Sequence, residues 1–288
     1  MKLEDIKKIL IVGSGTMGQQ IALLFAINGY DVVMNDISDD ILNKAFERLK
    51  KFAGNLERSN QYSKDVLDLA IQRIRLISDP ETAAKDVDLI SESVPEDPEL
   101  KGKVFRMFHD FCPPETLFTT NTSSLIPSMF AESTGRPERL CALHFHDITI
   151  TKVVDIMPHP GTASDIVNVL KELLEKMGQI PIMMDKEHHG YLFNNMLMAF
   201  LASALTLAQK GVAPIAEIDK AWTGIMHTFS GPFGIMDVIG LDTVWKICDY
   251  WASSRNDKQA IANANFLKTY VDAGKTGVKT GEGFYGYK

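Results

Sequence analysis

The stretch Ile9-Leu10-Ile11-Val12-Gly13-Ser14-Gly15-Thr16-Met17-Gly18 constrains the fold of this chain more than any other. An apolar run that opens into three glycines at these offsets reads as a buried strand turning sharply into a helix. Gly13 permits the tight turn, Gly15 lets backbone N–H groups approach a pyrophosphate, and Gly18 lets the helix pack closely on the sheet. The helix N-terminus then faces the anion, with Thr16 and Met17 in its first turn as further cofactor-binding candidates. Glycines punctuate many loops, so the motif depends on its context. Ile21, Leu24 and Phe25 follow at helical spacing, Gly29 stops the helix, and Asp31-Val32-Val33-Met34-Asn35 reads as a second strand ending at Asp36. Asp36 falls where a ribose 2′-hydroxyl belongs, and its carboxylate would repel a 2′-phosphate. With no Arg or Lys between Asp36 and Lys44, the expected cofactor is NAD rather than NADP. A structural βαβ unit with incidental glycines is the competing reading.

The 288 residues suffice for two domains, and 45% hydrophobic with 23% charged residues is ordinary globular composition. A net charge of −7 argues against a general nucleic-acid surface. Cys112, Cys141 and Cys248 are widely spaced and odd in number, which predicts buried thiols rather than a disulfide framework or a zinc pattern. Residues 1–5 lack the apolar region of a signal peptide, and the longest apolar run, 196–208, is short for a bilayer. A soluble, cytoplasmic protein without membrane contact is expected.

Helical spacing continues through Ile41, Ala45, Leu49, Phe52, Ala53 and Leu56, then through Val66, Leu67, Ala70, Ile71 and Ile74. This predicts a helical hairpin inserted in an α/β domain. Lys44, Arg48, Lys50, Lys51, Arg58 and Lys64 make it locally basic, either as a solvated face or as a contact for a substrate's phosphates. Strand and helix then alternate again: a strand at 87–90, a helix at 100–111 and a strand at 117–120. A Rossmann-type doubly wound parallel sheet follows, in which ligands bind beyond the carboxyl ends of the strands. Three such ends matter: residues 92–96, Asn121-Thr122-Ser123-Ser124, and His144 after the strand 140–143. A helix at 164–177 and an edge strand at 180–184, where Pro181 is tolerated, complete an NAD-binding domain over residues 1–186. Over 187–288 strand signals stop, and helices at 192–209, 215–226 and 241–251 predict an all-α domain for substrate binding and dimerisation. Its helices are too apolar to cover one another, so a homodimer is expected.

NAD-linked oxidation of an alcohol needs a base for the hydroxyl proton, a partner that holds the base, and donors that orient the carbinol. His144 is the best base. Asp155 lies in the extended segment Lys152-Val153-Val154-Asp155-Ile156, where an antiparallel return would bring its carboxylate to the imidazole and fix the tautomer. A structural histidine at a strand end is the alternative. His144 and His146, two apart on an extended stretch, share a face, so a metal site has to be considered. No third ligand stands at a familiar spacing, and no metal is assigned. His188-His189 read as loop residues.

These residues resemble the L-3-hydroxyacyl-CoA dehydrogenases, which include the short-chain 3-hydroxybutyryl-CoA dehydrogenases. The resemblance spans nearly the whole chain. It rests on Gly13 to Asp36, Glu96 with Lys101, Asn121-Thr122-Ser123-Ser124-Leu125, His144-Phe145, Gly190 with Asn194, Gly231-Pro232-Phe233, Ile239-Gly240-Leu241-Asp242, and Lys279-Thr280-Gly281-Glu282-Gly283-Phe284-Tyr285. It implies that His144 is the acid/base, that Asp155 is its partner, and that Ser123 and Asn194 hold the substrate's C3 oxygen. It also implies that Glu96 and Lys101 lie near the nicotinamide end of the cofactor, with Asn121 among the cofactor-binding positions. The implied reaction is hydride transfer between NAD and C3 of an L-3-hydroxyacyl-CoA thioester, giving the 3-ketoacyl-CoA, in fatty acid metabolism.

Departures from the family pattern cluster around the substrate. Asp155 stands for the usual glutamate, His146-Asp147-Ile148 for Phe-Asn-Pro, His189-Gly190 for Pro-Gly, and Asn195 for Arg, while the loop before Lys152 is one residue short. Pro158-His159-Pro160 is similar to a branch acting on free sugar acids, the L-gulonate 3-dehydrogenases, and a free 3-hydroxy acid is the second substrate reading. A third is a non-catalytic NAD-binding protein like the lens crystallins of this superfamily, against which Ser123, His144 and Asn194 argue.

Overall fold

The apolar run at the amino terminus forms β1 (Lys8–Val12), whose Ile9, Leu10 and Ile11 are wholly buried, as a strand covered on both faces requires. Seven more strands complete its sheet: β2 (Asp31–Asn35), β3 (Ile74–Leu76), β4 (Leu89–Glu92), β5 (Leu117–Thr120), β6 (Leu140–Phe145), β7 (Val153–Pro158) and β8 (Ile180–Met183). Their order is β3-β2-β1-β4-β5-β6-β7-β8. Pairing is parallel from β3 through β6, antiparallel between β6 and β7, and parallel again between β7 and β8. This computed structural model describes residues 2–287. The chain divides into two compact units, Met1–Tyr191, which contains the sheet, and Leu192–Lys288, which is helical.

Among the described residues six α-helices accompany the sheet: α1 (Thr16–Ile27), α2 (Asp39–Arg58), α3 (Lys64–Gln72), α4 (Pro80–Ala84), α5 (Pro98–Phe111) and α6 (Ser164–Lys176). Local chemistry sets their starts. Ser38 caps α2 by accepting the Ile41 N–H, and Asp39 and Asp40 complement the dipole of the first turn. Asp97 caps α5 by accepting the Leu100 N–H at 2.9 Å, and Pro98 occupies a first-turn position where its missing donor costs nothing. Helix α2 buries Leu42, Ala45, Leu49, Ala53 and Leu56 along one stripe, and Lys44, Arg48, Lys50, Lys51 and Arg58 lie exposed. The helical hairpin of the sequence reading is thus α2 and α3, with one correction. Ile74 continues the apolar spacing of α3, yet it leaves the helix and opens β3, opposite Val32, where its branched side chain packs on the sheet. Pro181 sits on β8 at the sheet's edge, where its lost donor leaves no ladder bond unmade.

The interior of the sheet changes character toward the carboxyl ends of its strands. Leu89 and Ile90 give way to Ser91 and Glu92, and Leu117 and Phe118 to Thr119 and Thr120, all of them buried. The Thr119 hydroxyl donates to the Ile90 carbonyl at 2.7 Å, and that of Thr120 to Glu92 at 2.7 Å. A polar floor is therefore built into the end of the sheet where ligands bind.

The helical unit comprises α7 (Tyr191–Gln209, whose first residue belongs to the sheet unit), α8 (Ile215–Met226), α9 (Pro232–Ile239), α10 (Leu241–Arg255) and α11 (Lys258–Asp272). Helix α7 has 19 residues, and an 18-residue window of it has a mean hydropathy of 1.4, enough by length and composition to cross a membrane. Its Leu201, Ala204 and Leu205 pack with Phe233, Met236, Leu241, Val244 and Leu267. Asp237, wholly buried in α9, closes the unit by binding the carboxyl-terminal strap. Its carboxylate accepts the N–H groups of Phe284 and Tyr285 at 2.8 and 2.9 Å and the hydroxyl of Tyr287 at 2.8 Å. A Cβ at Gly283 would collide with that carboxylate, which explains a glycine there. Asp219 does the same for Phe233 N–H, Gly234 N–H and the Tyr285 hydroxyl. Asp237→Ala is expected to cost about 3 kcal/mol of unfolding free energy, since charged acceptors are worth roughly 1.5–3 kcal/mol each and their donors are only partly rehydrated. Asp242→Ala, which breaks the exposed pair with Lys279, is expected to cost under about 1 kcal/mol; urea denaturation of the two variants beside the wild type checks both.

Candidate active site

The three glycines of the opening motif do three different things. Gly13 has φ of 95°, and a Cβ there would lie 2.7 Å from the Ser93 carbonyl oxygen. A Cβ on Gly18 would run into the Gly13 carbonyl, so only glycine lets α1 approach the turn. Around Gly15 the direction of a Cβ is open, with no atom within 4 Å. Gly15 is also the cap residue of α1 and supplies no side-chain bond, so the first-turn amides of Thr16, Met17 and Gly18 are available to an anion. Asp36, just after β2, is aimed by the motif itself: Ser14 donates its N–H and its hydroxyl to Oδ2 at 2.8 and 2.7 Å. The Ile37 N–H donates to Oδ1 at 2.8 Å. These residues fit a dinucleotide, with room at Gly15 for the pyrophosphate and a fixed carboxylate for the ribose. The sequence reading missed Ser14, because the motif treats that position as variable.

A buried ammonium organises the next part of the floor. Lys101 of α5, 1% exposed, reaches Glu92 Oε1 at 2.7 Å, Glu96 Oε2 at 3.3 Å and the Val94 carbonyl at 3.1 Å. Burial pushes the Glu92 carboxyl up, opposed by the Lys101 charge and by hydrogen bonds from Lys101, Thr120 and Val94. Burial also pushes Glu96 up, but the Lys101 charge and the donors of Thr122 and Ser123 outweigh it and hold that carboxyl below its ordinary value. Glu96 Oε1 accepts the Thr122 hydroxyl at 2.8 Å and the Ser123 N–H at 2.9 Å, which anchors the loop after β5. Asn121 ties that loop to the next strand, with its Oδ1 accepting the Phe145 N–H at 2.7 Å. Glu96, Lys101, Asn121 and Ser123 are thereby brought into one connected network.

His144 is the fifth residue of β6 rather than the first residue after a strand, as the sequence suggested, because β6 runs on to Phe145. Antiparallel pairing sets His144 directly opposite Asp155 of β7. His144 Nδ1 lies 3.0 Å from Asp155 Oδ2, and both side chains are buried. His146 Nε2 reaches the same oxygen at 3.1 Å. Burial alone would push the Asp155 carboxyl up; the hydrogen bonds and charges of the two histidines outweigh it and lower it to about 2. Asp155 is therefore ionised at neutral pH, so both ring nitrogens facing it carry protons, and Nε2 is left as the basic nitrogen of His144. The two imidazoles lie 4.3 Å apart between centroids, and the buried Tyr191 ring lies 4.8 Å from that of His144.

The short loop between β6 and β7 is a closed turn. Asp147 Oδ1 accepts the Thr149 N–H and hydroxyl at 2.9 and 2.6 Å, and Gln20 of α1 accepts the Ile148 N–H at 3.0 Å. His188 and His189 lie in the segment between β8 and α7, as read from sequence, with His189 Nδ1 3.1 Å from the Ser124 carbonyl. Asn194 belongs to the helical unit, in the first turn of α7. Tyr191 escaped the sequence reading, since a lone aromatic after Gly190 gives no signal of a ring contact. His146 was noticed for its spacing from His144, but the shared carboxylate that makes a three-residue cluster comes from the cross-strand pairing. Cys112 and Cys141 are buried and Cys248 half-buried, all as free thiols.

Comparison with known proteins covers nearly the whole chain. Residues 8–188 match the 3-hydroxyacyl-CoA dehydrogenase NAD-binding domain, and residues 190–287 match the C-terminal domain of the same family. The chain is 31% identical to a probable 3-hydroxybutyryl-CoA dehydrogenase of Bacillus subtilis, over 99% of this chain and 98% of that one. It is 30% identical to the mitochondrial hydroxyacyl-coenzyme A dehydrogenase of Homo sapiens, over 98% and 92%. Among solved structures it is similar to a diketoreductase acting on dicarbonyl compounds, at 33% identity and a TM-score of 0.90 over 98% of this chain and 99% of that one. It is similar also to the (S)-3-hydroxybutyryl-CoA dehydrogenase of Ralstonia eutropha, at 27% identity and a TM-score of 0.88 over 98% and 99%. With its glycine motif, its NAD-binding sheet and its helical second unit, the chain belongs to the 3-hydroxyacyl-CoA dehydrogenase family.

Proposed function

We propose that the chain interconverts an L-3-hydroxyacyl-CoA, of the short 3-hydroxybutyryl type, and its 3-keto thioester. The observation that carries the reading is the buried His144–Asp155 pair at 3.0 Å, at the carboxyl end of a sheet with a dinucleotide motif. Gly13, Gly15, Gly18, Asp36 and the first turn of α1 hold the cofactor, and NAD, when bound, supplies the hydride acceptor. In the oxidative direction His144 Nε2 takes the proton of the C3 hydroxyl as that oxygen becomes a carbonyl. The imidazolium so formed is stabilised by the ionised Asp155 across its Nδ1–H. Ser123 donates to the C3 oxygen. Glu96, anchored by Lys101, fixes the loop that carries Ser123, so that this donor is oriented before charge develops. In reduction His144 returns the proton.

The exposed lysines and arginines of α2 support the thioester, since they offer countercharge for the phosphates of coenzyme A. The helical unit pairs with a second copy: Phe193, Met196, Ile225, Met226, Phe229 and Val238 are all more than half exposed, an apolar surface that an isolated chain would leave in water. The likeness to a diketoreductase, at 33% identity, supports a second reading in which a dicarbonyl compound or free 3-keto acid is reduced without coenzyme A.

NADH oxidation with acetoacetyl-CoA, run beside free acetoacetate and a dicarbonyl ester, and NAD reduction with L-gulonate separate these readings. Turnover of the thioester at least about tenfold faster, by kcat/KM, than of any other compound is expected. Turnover confined to the uncharged or free-acid compounds would overturn the thioester reading. Asp36→Ala is expected to weaken NADH binding by roughly 1–3 kcal/mol, the worth of hydrogen bonds to a charged group, and to narrow the preference over NADPH. Fluorescence titration with both nucleotides checks this.

A further inference from the structure

We infer that His144, His146 and Asp155 form a binding site for a divalent cation of the zinc class. Side chains two apart on an extended strand share a face, which places His146 beside His144, and the antiparallel register places Asp155 on the same face from the neighbouring strand. Each of the three offers one ligand atom, all within 4.8 Å of one another. Asp155 Oδ2 lies 3.0 Å from His144 Nδ1 and 3.1 Å from His146 Nε2. Bonds of about 2.1 Å meeting near the tetrahedral angle place ligand atoms about 3.4 Å apart, so small rotations of the side chains admit the ion.

The donor set decides the class of cation. Two imidazoles and one carboxylate suit zinc, cobalt, nickel or copper, whereas magnesium and calcium take oxygen ligands. One of the ligands is already anionic, which offsets part of the cation's dehydration. The His146 side chain is 20% exposed, against 7% and 3% for His144 and Asp155, so the cation enters past His146 and a water completes the fourth position.

Occupancy has a chemical consequence that rests on the function proposed above. A neutral imidazole that binds a cation through Nδ1 carries its ring proton on Nε2. His144 Nε2 is then a donor and cannot take the hydroxyl proton. In the same way His146, bound through Nε2, carries its proton on Nδ1; each ring proton changes nitrogen through water, and none is lost overall. The cation thus replaces the two N–H donors on Asp155 and holds the site in an inactive, reversible state.

Calorimetric titration of the purified chain with zinc, and visible absorption spectra with cobalt, test the site without any turnover. One saturable zinc site is expected, with a cobalt spectrum of low coordination number. His146→Phe and His146→Gln are each expected to lose at least about tenfold in zinc affinity. NADH binding and thermal midpoints verify that the variants are folded. No saturable uptake, or equal affinity in the wild type and both variants, as an exposed pair such as His188-His189 would give, overturns the proposal. Turnover is then followed with the better substrate of the panel: it is expected to fall as the zinc site fills and to return with EDTA. A site that fills while turnover persists leaves the cation site standing and contradicts instead the assignment of His144 Nε2 as the proton acceptor.

Discussion

The antiparallel pairing of β6 with β7 is the constraint on which the site depends. Through the first six strands the sheet is parallel, and parallel neighbours are separated in sequence by helical or irregular connections. After Phe145 the chain reverses within the short turn at 146–152, and that reversal sets Asp155 against His144. A buried carboxylate is costly unless its charge is met, and a parallel continuation would have left neither imidazole there to meet it. Two hydrogen bonds on one oxygen hold Asp155 ionised and thereby fix which nitrogen of His144 is basic. The turn that enforces the register is itself held from α1, through Gln20 and Ile148.

A second buried charge works on the same principle two strands away, at β4. Lys101 enters the protein interior between Glu92 and Glu96, and each acidic partner also accepts from other groups: Glu92 from the Val94 N–H on the oxygen that faces Lys101 and from Thr120 on the other, Glu96 from Thr122 and Ser123. Such clusters contribute little net stability, because desolvation consumes most of the Coulombic gain. What they secure is position. The loop carrying Ser123 is tied to β4 through Glu96 and Lys101 and to β6 through Asn121, so its polar groups are oriented in advance of any substrate.

Much of this was legible in the residues because the constraints are local. Three glycines at fixed offsets report a turn, an open approach and a close contact, and the backbone at Gly13, Gly15 and Gly18 shows each of them. Apolar runs without alternation report strands covered on both faces, and Pro181 reports an edge. Ile74 reads as helical because apolar spacing alone cannot tell a helix's last turn from the strand that follows. Helix α11, rich in Ala and Asn, shows too weak a periodicity to be singled out. Ser14 on Asp36, His146 on Asp155 and Tyr191 against His144 were illegible for another reason. Each depends on a contact across strands or loops, and a register of pairing is not encoded in the spacing of one segment.

The central claim is that Asp155 fixes His144 as the proton acceptor, and Asp155→Asn tests it most directly. The amide keeps the shape of the carboxylate but can offer an N–H to His144 Nδ1, which would move the ring proton to Nε2. Measured with the substrate that the panel selects, kcat/KM is expected to fall by about 10²–10⁴, the range associated with loss of a general base or its correct tautomer. NADH affinity, proposed above to rest on the glycine turn after β1 and on Asp36 after β2, is expected to stay within about twofold of the wild type, a difference under about 0.5 kcal/mol. Wild-type turnover in the folded variant would contradict the account.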